Sequence, residues 1–324
     1  MRLPVPFIKL PFRFDAERLQ IELDTIEDSA WMDHPSGLPG NSAVALVSHN
    51  GGNNDEFGGK MMETPHLATL PYHRQVMASF GEVLSRSRLM RLAGGSQVSP
   101  HVDFNYHWYN RLRIHVPIVT NPKVVFHCGD ETIHMLAGEC WIFDSWRWHK
   151  VVNDSDQVRT HLVIDISGSS RFWELVKKAE NGSCEDDEID YLDGAKVTIR
   201  LENFNVAPVM APGELEAIAR EIIQDFEGNA NNPPDLVEKY RNLLLNLGRD
   251  WREIWYEHGQ GPSGWPKYQD LLQKTQRQLH PERRALVTAS NNVGVNPIIV
   301  QRLLRAALAT DYYDEFMARI NLQK

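Results

Sequence analysis

The chain has 324 residues, of which 42% are hydrophobic and 24% charged, and its formal net charge is −9. This composition is typical of a globular protein with a large core, and the acidic balance argues against a nucleic-acid or anionic-membrane partner. Three scattered cysteines exclude a disulfide framework, and no apolar run approaches the roughly 18 residues of a membrane span. Because the first residues lack the apolar stretch of a signal peptide, we expect a cytoplasmic protein.

The N-terminal third predicts helices and loops. Apolar residues around Asp15 resemble a staple at a helix start, and apolar residues then recur at helical spacing as far as Ala30. Residues 34–60 are rich in Gly, Asn, Ser and Pro, so we expect loops there that border a site and act as a lid. A second short helix is expected within residues 71–84.

The pattern changes to short strands between about residues 88 and 166. Residues 112–118 and 159–166 both alternate apolar and polar side chains with a period of two. Shorter apolar runs at 124–126 and 141–143 lie between them and are bounded by turns. Many short strands with close turns are typical of a β-sandwich or barrel, of which the jelly roll is one form.

Helical periodicity returns after about residue 205. One helix is expected to stop near Gly228, and a second to follow the Asn-Asn-Pro-Pro sequence and to end before Gly248. A late helix is expected to open with Asn296 as its cap and Pro297 in its first turn.

The chain therefore predicts a mainly β protein with helices. Its β core carries an N-terminal helical cover and is followed by an all-helical C-terminal region. We expect one domain over residues 1–205, with its core at about 85–170, and a helical region over 206–324.

Histidines are concentrated in the β-rich segment, where seven of the thirteen lie between His101 and His161. Histidine is a common metal ligand and a common acid or base. His101 and Asp103 are two residues apart, so on an extended strand an imidazole and a carboxylate project from one face. His149 follows the strand 141–144 and is the candidate third ligand. Two histidines and one carboxylate form the triad that holds ferrous iron and leaves positions open for dioxygen and a co-substrate.

Any single histidine is as compatible with a structural role. We expect His107, His127, His134 and His161 to be pocket-lining or core residues. The three cysteines, Cys128, Cys140 and Cys184, are expected to be chemically inert.

Arg159 heads an apolar strand ten residues after His149. A guanidinium inside an apolar barrel is costly unless an anion meets it, and its planar fork suits a carboxylate. Arg113 and His115 share one face of another strand and offer further donors to the same anion. The structural alternative is an ion pair between Arg159 and either Asp165 or Asp144.

Six sequence motifs in this order resemble the aspartyl/asparaginyl β-hydroxylase family, whose members are Fe(II)- and 2-oxoglutarate-dependent dioxygenases on a double-stranded β-helix. The motifs are Arg91-Leu-Ala-Gly-Gly, Pro100-His-Val-Asp, Arg113-Ile-His-Val-Pro-Ile, Gly138-Glu-Cys-Trp-Ile-Phe-Asp, His149-Lys-Val-Val-Asn and Arg159-Thr-His-Leu-Val-Ile-Asp. The resemblance covers about residues 85–170, a quarter of the chain.

The resemblance implies a cupin-like jelly roll with iron bound by His101, Asp103 and His149. Arg159 would bind the distal carboxylate of 2-oxoglutarate, supported by Arg113 and His115. Animal aspartyl β-hydroxylases have glycine in place of Asp103, so the chain is more similar to bacterial free-proline hydroxylases. A serine that contacts 2-oxoglutarate in the β-hydroxylases is replaced by Met90.

The expected reaction is hydroxylation of an unactivated C–H bond of an amino acid, free or within a peptide, with O2 consumed and succinate and CO2 released. We expect Asp144 or Asn153 to orient the ligand histidines. The substrate carboxylate requires another cation, for which Arg91, Arg111 and Arg147 are candidates. A homodimer is compatible with the sequence. The alternatives are a cupin-like protein with a non-redox metal and an inactive sensor or scaffold.

Overall fold

The computed structural model describes residues 1–35, 37–183 and 185–322 and divides into two compact units. Unit 1 comprises Met1–Asp103 and Asn110–Asn203, and unit 2 comprises Phe104–Tyr109 and the chain from Phe204 onward. The domain boundary expected at residue 205 stays a prediction. No helix of the described residues combines the length and the hydropathy that a membrane span requires.

Unit 1 is built around two β-sheets. Its strands are β1 (Phe7–Phe14), β2 (Met32–Asp33), β3 (Asn41–His49), β4 (Met61–Glu63), β5 (Val83–Leu92), β6 (Ser96–His101), β7 (Leu112–Val119), β8 (Val124–Cys128), β9 (Glu131–Ile133), β10 (Glu139–Phe143), β11 (His149–Asn153), β12 (Arg159–Ile166), β13 (Asp187–Ile189) and β14 (Arg200–Leu201). The ten-stranded sheet has the order β13-β1-β10-β7-β12-β5-β3-β2, with β4 beside β3 and β14 beside β5. The four-stranded sheet has the order β6-β11-β8-β9.

The two sheets contact each other face to face. Phe126 on the small sheet packs against His115 and His161 on the large one, with ring centroids 5.9 and 5.4 Å away. His149 likewise contacts Phe143 across the sheets at 5.0 Å. The expected double-stranded β-helix with jelly-roll character is confirmed.

Helices cover the outer face of the large sheet. They are α1 (Ala16–Leu23), α2 (Pro65–Ala68), α3 (Pro71–Ser79) and α5 (Ser170–Glu180), and the short α4 (Tyr106–Asn110) lies between β6 and β7. Leu19, Val76 and Phe172 from three of them join Ile114 and Ile164 of the sheet in one buried apolar cluster. Each such side chain contributes about 1.5–3 kcal/mol on burial, so this cluster is a main source of stability.

The strand β12 shows how the sequence builds the interior. All eight of its residues are buried. Leu162, Ile164 and Ile166 belong to the apolar cluster under the helices, so the alternating Arg159, His161, Val163 and Asp165 point between the two sheets. The period of two therefore places apolar side chains against the helices and mostly polar side chains between the two sheets. Both faces of β12 are buried.

Two strands of the large sheet differ from the sequence prediction. Residues 34–60 were expected to be loops, but β3 lies within them and pairs with β5 through Ala43 to Val47. The apolar run at residues 43–47 is short, and the small and polar residues on both sides of it made the strand β3 difficult to recognise. The strand β1 was also missed, because Pro11 cannot donate a backbone hydrogen bond and the pairing with β10 shifts register between Leu10 and Arg13.

The helix α1 begins as expected and ends early. The Asp15 carboxylate accepts a hydrogen bond from the Arg18 amide at 3.0 Å and caps the helix. The helix ends at Leu23, and a separate turn follows at Asp28–Ala30. The expected helix within 71–84 is α3, which ends at Ser79 before β5 begins.

Unit 2 is helical over its described residues, as the sequence predicted for the C-terminal region. It contains α6 (Pro212–Glu227), α7 (Pro234–His258), α8 (Trp265–Arg277), α9 (Val295–Ile298), α10 (Arg305–Ala307) and α11 (Tyr313–Leu322), with one π-helical turn at Ile299–Leu304.

Two helix boundaries in unit 2 were predicted wrongly. The helix α7 does not end at Gly248 but continues to His258. Gly248 allows α7 to pack closely against α6, since a Cβ at this position would lie 3.0 Å from the Glu216 side chain. The late helix is capped by Gly294. Asn296 instead donates to the His280 carbonyl at 2.7 Å and joins two loops.

Candidate metal centre and co-substrate site

His101, Asp103 and His149 converge at one end of the small sheet. One potential ligand atom from each lies within 4.8 Å of the other two, so small side-chain rotations give the distances of about 2.1 Å that nitrogen and oxygen ligands adopt. The two histidines are directly opposite each other on β6 and β11, and their ring centroids are 4.1 Å apart. The structure thus brings together all three residues proposed as metal ligands.

Backbone carbonyls orient both imidazoles. Nδ1 of His101 donates to the Ser99 carbonyl at 2.8 Å, and Nδ1 of His149 donates to the Arg147 carbonyl at 2.9 Å. Because a carbonyl only accepts, Nδ1 carries the proton and Nε2 presents its lone pair to a metal. The sequence assigned this task to Asp144 or Asn153, and that assignment was wrong.

Those two side chains instead fix the backbone around the site. The Asp144 carboxylate accepts from the Trp146 amide and the Arg147 guanidinium, both at 3.1 Å, which orders the turn before His149. The Asn153 amide donates to the carbonyls of Leu92 and Gln157 at the far end of β11.

The electrostatic environment keeps His149 neutral. Burial lowers the pKa of His149 to about 4, with Asp103 as the main opposing influence. The Nε2 atom of His149 lies 3.8 Å from the Asp103 carboxylate. Neutral imidazole and carboxylate are the ligand types that ferrous iron accepts in a facial triad.

Arg159 is a buried cation whose guanidinium meets no carboxylate among the described residues. Only 5% of the residue is exposed, its Nε has no hydrogen-bond partner, and its Cζ lies 5.0 Å from the ring centroid of Phe126. Burial lowers the pKa of Arg159 to about 9, which still leaves it charged at neutral pH. The alternative pairing with Asp165 or Asp144 does not occur, so the geometry favours an external anion.

The residues expected to support Arg159 occupy different positions. Arg113 forms a bidentate ion pair with Asp165, at 2.7 and 2.9 Å. Asp165 is six residues from Arg159 on β12, a Cα separation of about 20 Å. Arg113 is therefore held at the opposite end of the interior. His115 lies between Arg113 and Arg159, opposite Val163 of β12. Its burial and the charges of these two arginines hold the pKa of His115 well below the usual value.

A second cationic group on the inner face was missed by the sequence analysis. Arg86 and Arg88 of β5 are buried, and both contact Asp55 from the segment that joins β3 and β4. The Asp55 carboxylate accepts from Arg88 at 2.5 Å, and its backbone carbonyl accepts from Arg86 at 2.9 Å. Two arginines at i and i+2 in a strand were the signal that could have revealed this group.

The three arginines expected to bind a substrate carboxylate are all engaged in the fold. The guanidinium of Arg111 forms a buried bidentate pair with Glu202, at 2.8 and 2.9 Å. Arg91 donates to the side chains of Ser42 and Asp28, and Arg147 donates to Asp144.

The cysteines behave as expected where the structure describes them. Cys128 and Cys140 are buried free thiols. Burial raises the pKa of both, that of Cys128 to about 12. Cys184 lies outside the described residues.

The segment that contains these residues matches a known protein family. Residues 52–168 match the family model described as aspartyl/asparaginyl beta-hydroxylase, so the expected resemblance is confirmed for that segment. A curated relative, L-proline cis-3-hydroxylase 1 from Streptomyces sp, is 30% identical over 142 residues, which are 40% of this chain and 48% of that protein. The chain thus spans about half the length of this relative.

Solved structures show weaker similarity. A 2OG-Fe(II) oxygenase family oxidoreductase from Burkholderia pseudomallei has a TM-score of 0.36 at 17% identity, and covers 50% of this chain and 84% of its own. The non-heme alpha ketoglutarate dependent epimerase SnoN from nogalamycin biosynthesis has a TM-score of 0.35 at 14% identity, and covers 60% of this chain and 91% of its own.

Proposed function

We propose that this chain, whose residues 52–168 match the aspartyl/asparaginyl β-hydroxylase family, is an Fe(II)- and 2-oxoglutarate-dependent dioxygenase. It hydroxylates an unactivated C–H bond of an amino acid, free or within a peptide. The observation that carries the proposal is the joint presence of a two-histidine, one-carboxylate cluster and the buried Arg159, which has no carboxylate partner in the described chain. A metal site alone does not require this second feature.

The donor set fits ferrous iron. His101 and His149 present Nε2, Asp103 supplies an oxygen, and the three ligands leave other coordination positions open. When bound, iron and 2-oxoglutarate supply the oxidising chemistry: O2 and 2-oxoglutarate are converted to succinate and CO2, and one oxygen atom enters the substrate C–H bond. The protein supplies ligation, orientation and exclusion of water.

Arg159 supplies the charge that selects a dicarboxylic co-substrate. Its planar guanidinium suits bidentate binding of a terminal carboxylate. The buried surroundings strengthen that attraction because little water screens it. Binding of the distal carboxylate by Arg159 would leave the keto-acid end of the same molecule for the metal held by His101, Asp103 and His149.

Arg86 and Arg88 are our choice for the cations that bind the substrate carboxylate. With Arg113 they place three positive charges on the inner face, opposed by the carboxylates of Asp55 and Asp165. Buried guanidinium groups clustered on one face favour the binding of an additional carboxylate. Because Arg113 also lies within electrostatic reach of Asp103, a substrate held there is near the metal ligands.

We also propose a cytoplasmic location, which the unpaired thiols of Cys128 and Cys140 support. The net charge of −9 supports small molecules or peptides as partners in place of nucleic acid or anionic membranes. A homodimer stays a proposal that size-exclusion chromatography with light scattering decides.

The test is mass spectrometry of the purified protein with Fe(II), ascorbate, 2-oxoglutarate and a panel of amino acids and peptides that includes L-proline, aspartate and asparagine. We expect a substrate to gain one oxygen atom with matching succinate. The variant His149→Ala should abolish both products. The control His127→Ala removes a histidine from the neighbouring strand β8 outside the triad and should leave turnover unchanged.

Two results contradict the proposal. Metal binding without succinate formation for any substrate indicates a non-redox metal protein. Absence of both metal and 2-oxoglutarate binding indicates a scaffold.

A further inference from the structure

His161 and His115 form a pair of buried imidazoles beside Arg159. Their ring centroids are 5.8 Å apart in an edge-to-face arrangement, and Phe126 packs against both. His161 is completely buried and His115 is 6% exposed. His161 is two residues from Arg159 on β12, so both side chains point into the same interior space.

None of the ring nitrogens in this pair has a hydrogen-bond partner. Both nitrogens of His115, both nitrogens of His161 and Nε of Arg159 are buried without partners. Buried polar atoms are normally hydrogen-bonded, since an unmade bond costs the full desolvation penalty of the group. Five such atoms within one cluster indicate side chains arranged to bind a polar ligand.

The charge of the cluster defines the chemistry of that ligand. Arg159 is cationic, whereas burial and Arg159 hold the pKa of His161 well below its usual value, so this imidazole is neutral. A neutral imidazole offers one N–H donor, and a carboxylate accepts about four hydrogen bonds. One guanidinium and two imidazole donors therefore match the acceptors of a single carboxylate.

We propose that His161 is a binding residue for the distal carboxylate of 2-oxoglutarate, to which it and His115 each donate one N–H alongside Arg159. This inference rests on the proposed function and assigns His161 a role that the sequence analysis did not give it. The remaining nitrogen of each ring is an acceptor and requires a donor such as a buried water.

The test uses binding without turnover. Protein loaded with Mn(II) under anaerobic conditions is titrated with 2-oxoglutarate by calorimetry, for the wild type and for His161→Phe. Phenylalanine keeps an aromatic ring against Phe126 and removes both nitrogens. We expect binding about 10- to 100-fold weaker, the usual effect of losing one hydrogen bond to a charged group. Mn(II) affinity should not change.

A second ligand separates a binding role from a packing role. The keto acid 2-oxobutyrate lacks the distal carboxylate, so the wild type and His161→Phe should bind it equally. Equal weakening for both ligands overturns the inference, because it indicates a general disturbance of the site. His161→Gln, which retains an N–H donor, should recover part of the affinity for 2-oxoglutarate, and it serves as the main variant should His161→Phe not fold.

The inference and the proposed function fail in different ways. Wild-type affinity for 2-oxoglutarate in His161→Phe or His161→Gln overturns only the inference. No binding of 2-oxoglutarate by the metal-loaded wild type overturns the proposed function. The control His127→Phe, on the adjacent small sheet, should match the wild type throughout.

Discussion

His101 and His149 are direct cross-strand partners on the antiparallel strands β6 and β11. The register of one strand pair therefore sets the distance between two of the three candidate metal ligands. A shift by one residue would turn one imidazole to the opposite face of the sheet. Further along the ladder Val151 pairs with Val98 and Asn153 with Ser96, and the register shifts by one residue between His149 and Val151. This irregularity beside the histidine pair is therefore part of what places the two imidazoles opposite each other.

Removal of Asp103 should weaken metal binding while leaving the fold intact. Asp103 is partly exposed and supplies the only carboxylate of the described His/Asp cluster. We expect Asp103→Ala to lower Mn(II) affinity at least about tenfold, since even outer partners of metal ligands affect binding by this amount. Electron paramagnetic resonance titration measures it. Wild-type affinity in Asp103→Ala would show that this carboxylate is not a ligand.

Removal of Arg159 should abolish co-substrate binding without destabilising the protein. A buried charge without a carboxylate partner costs free energy in the unliganded fold, so we expect Arg159→Leu to leave the free energy of unfolding unchanged or to raise it by about 1 kcal/mol or more. Binding of 2-oxoglutarate should be lost. Calorimetric titration and urea unfolding measure the two effects.

The matched control for Arg159 is Arg111, which is also buried but is paired with Glu202. Arg111→Leu leaves a buried carboxylate unpaired and should cost about 3–5 kcal/mol of stability. Comparable destabilisation by the two substitutions would contradict the assignment of Arg159 as an anion site kept without an internal partner.

Replacement of Arg88 should affect the substrate and spare the co-substrate. Arg88→Gln removes one cation that contacts Asp55, and we expect KM for the amino-acid substrate to rise about tenfold or more. The Kd for 2-oxoglutarate should stay constant. Arg91→Gln, on the same strand but paired with Asp28, is the control. Equal effects of Arg88→Gln on both ligands would argue against a separate substrate site.

Acidification should destabilise the fold between pH 6.5 and pH 5. Burial lowers the pKa of His115 and His161 well below 6.5, and that of His34 to about 4. The unfolded chain therefore binds protons first as the pH falls, and stability declines from the unfolded pKa of about 6.5 down toward the folded values. Each histidine contributes at most about 1.4 kcal/mol per pH unit in that window.

Urea unfolding at pH 7.5, 6.0 and 5.0 checks this dependence. Carboxylates such as Glu22 and Glu82 have a lowered pKa, so their contribution is lost only below about pH 4.5 and does not affect the comparison. A free energy of unfolding that is constant from pH 7.5 to pH 5.0 would contradict the neutral, buried state of the histidines.

Alternation within strands was visible in the sequence, whereas partners across strands were not. The period of two in β12 placed Arg159 on a polar face, and His101 and Asp103 were correctly grouped with His149. The bidentate pair of Arg113 with Asp165 depends on how β7 lies beside β12, and nothing local encodes that register. Arg113 was therefore assigned to the same anion as Arg159, although its guanidinium is bound by Asp165.

Backbone partners were equally invisible. The carbonyls that fix His101 and His149 belong to Ser99 and Arg147, two residues before each histidine. Every residue has a carbonyl, so no residue type marks this function. The sequence analysis therefore assigned the orientation of the histidines to side chains such as Asp144. In the structure the local backbone geometry orients them.

The protonation state of the Cys128 thiol affects which metal ions can bind near His101, Asp103 and His149. Cys128 is the cross-strand partner of His149, and its Sγ donates to the Asp144 carbonyl at 3.3 Å. Soft metals such as Cu(I) are captured by thiolate, and the pKa of about 12 keeps this sulfur protonated. Burial of Cys128 therefore prevents a thiolate from forming beside His149, so copper and zinc gain no sulfur ligand from this residue.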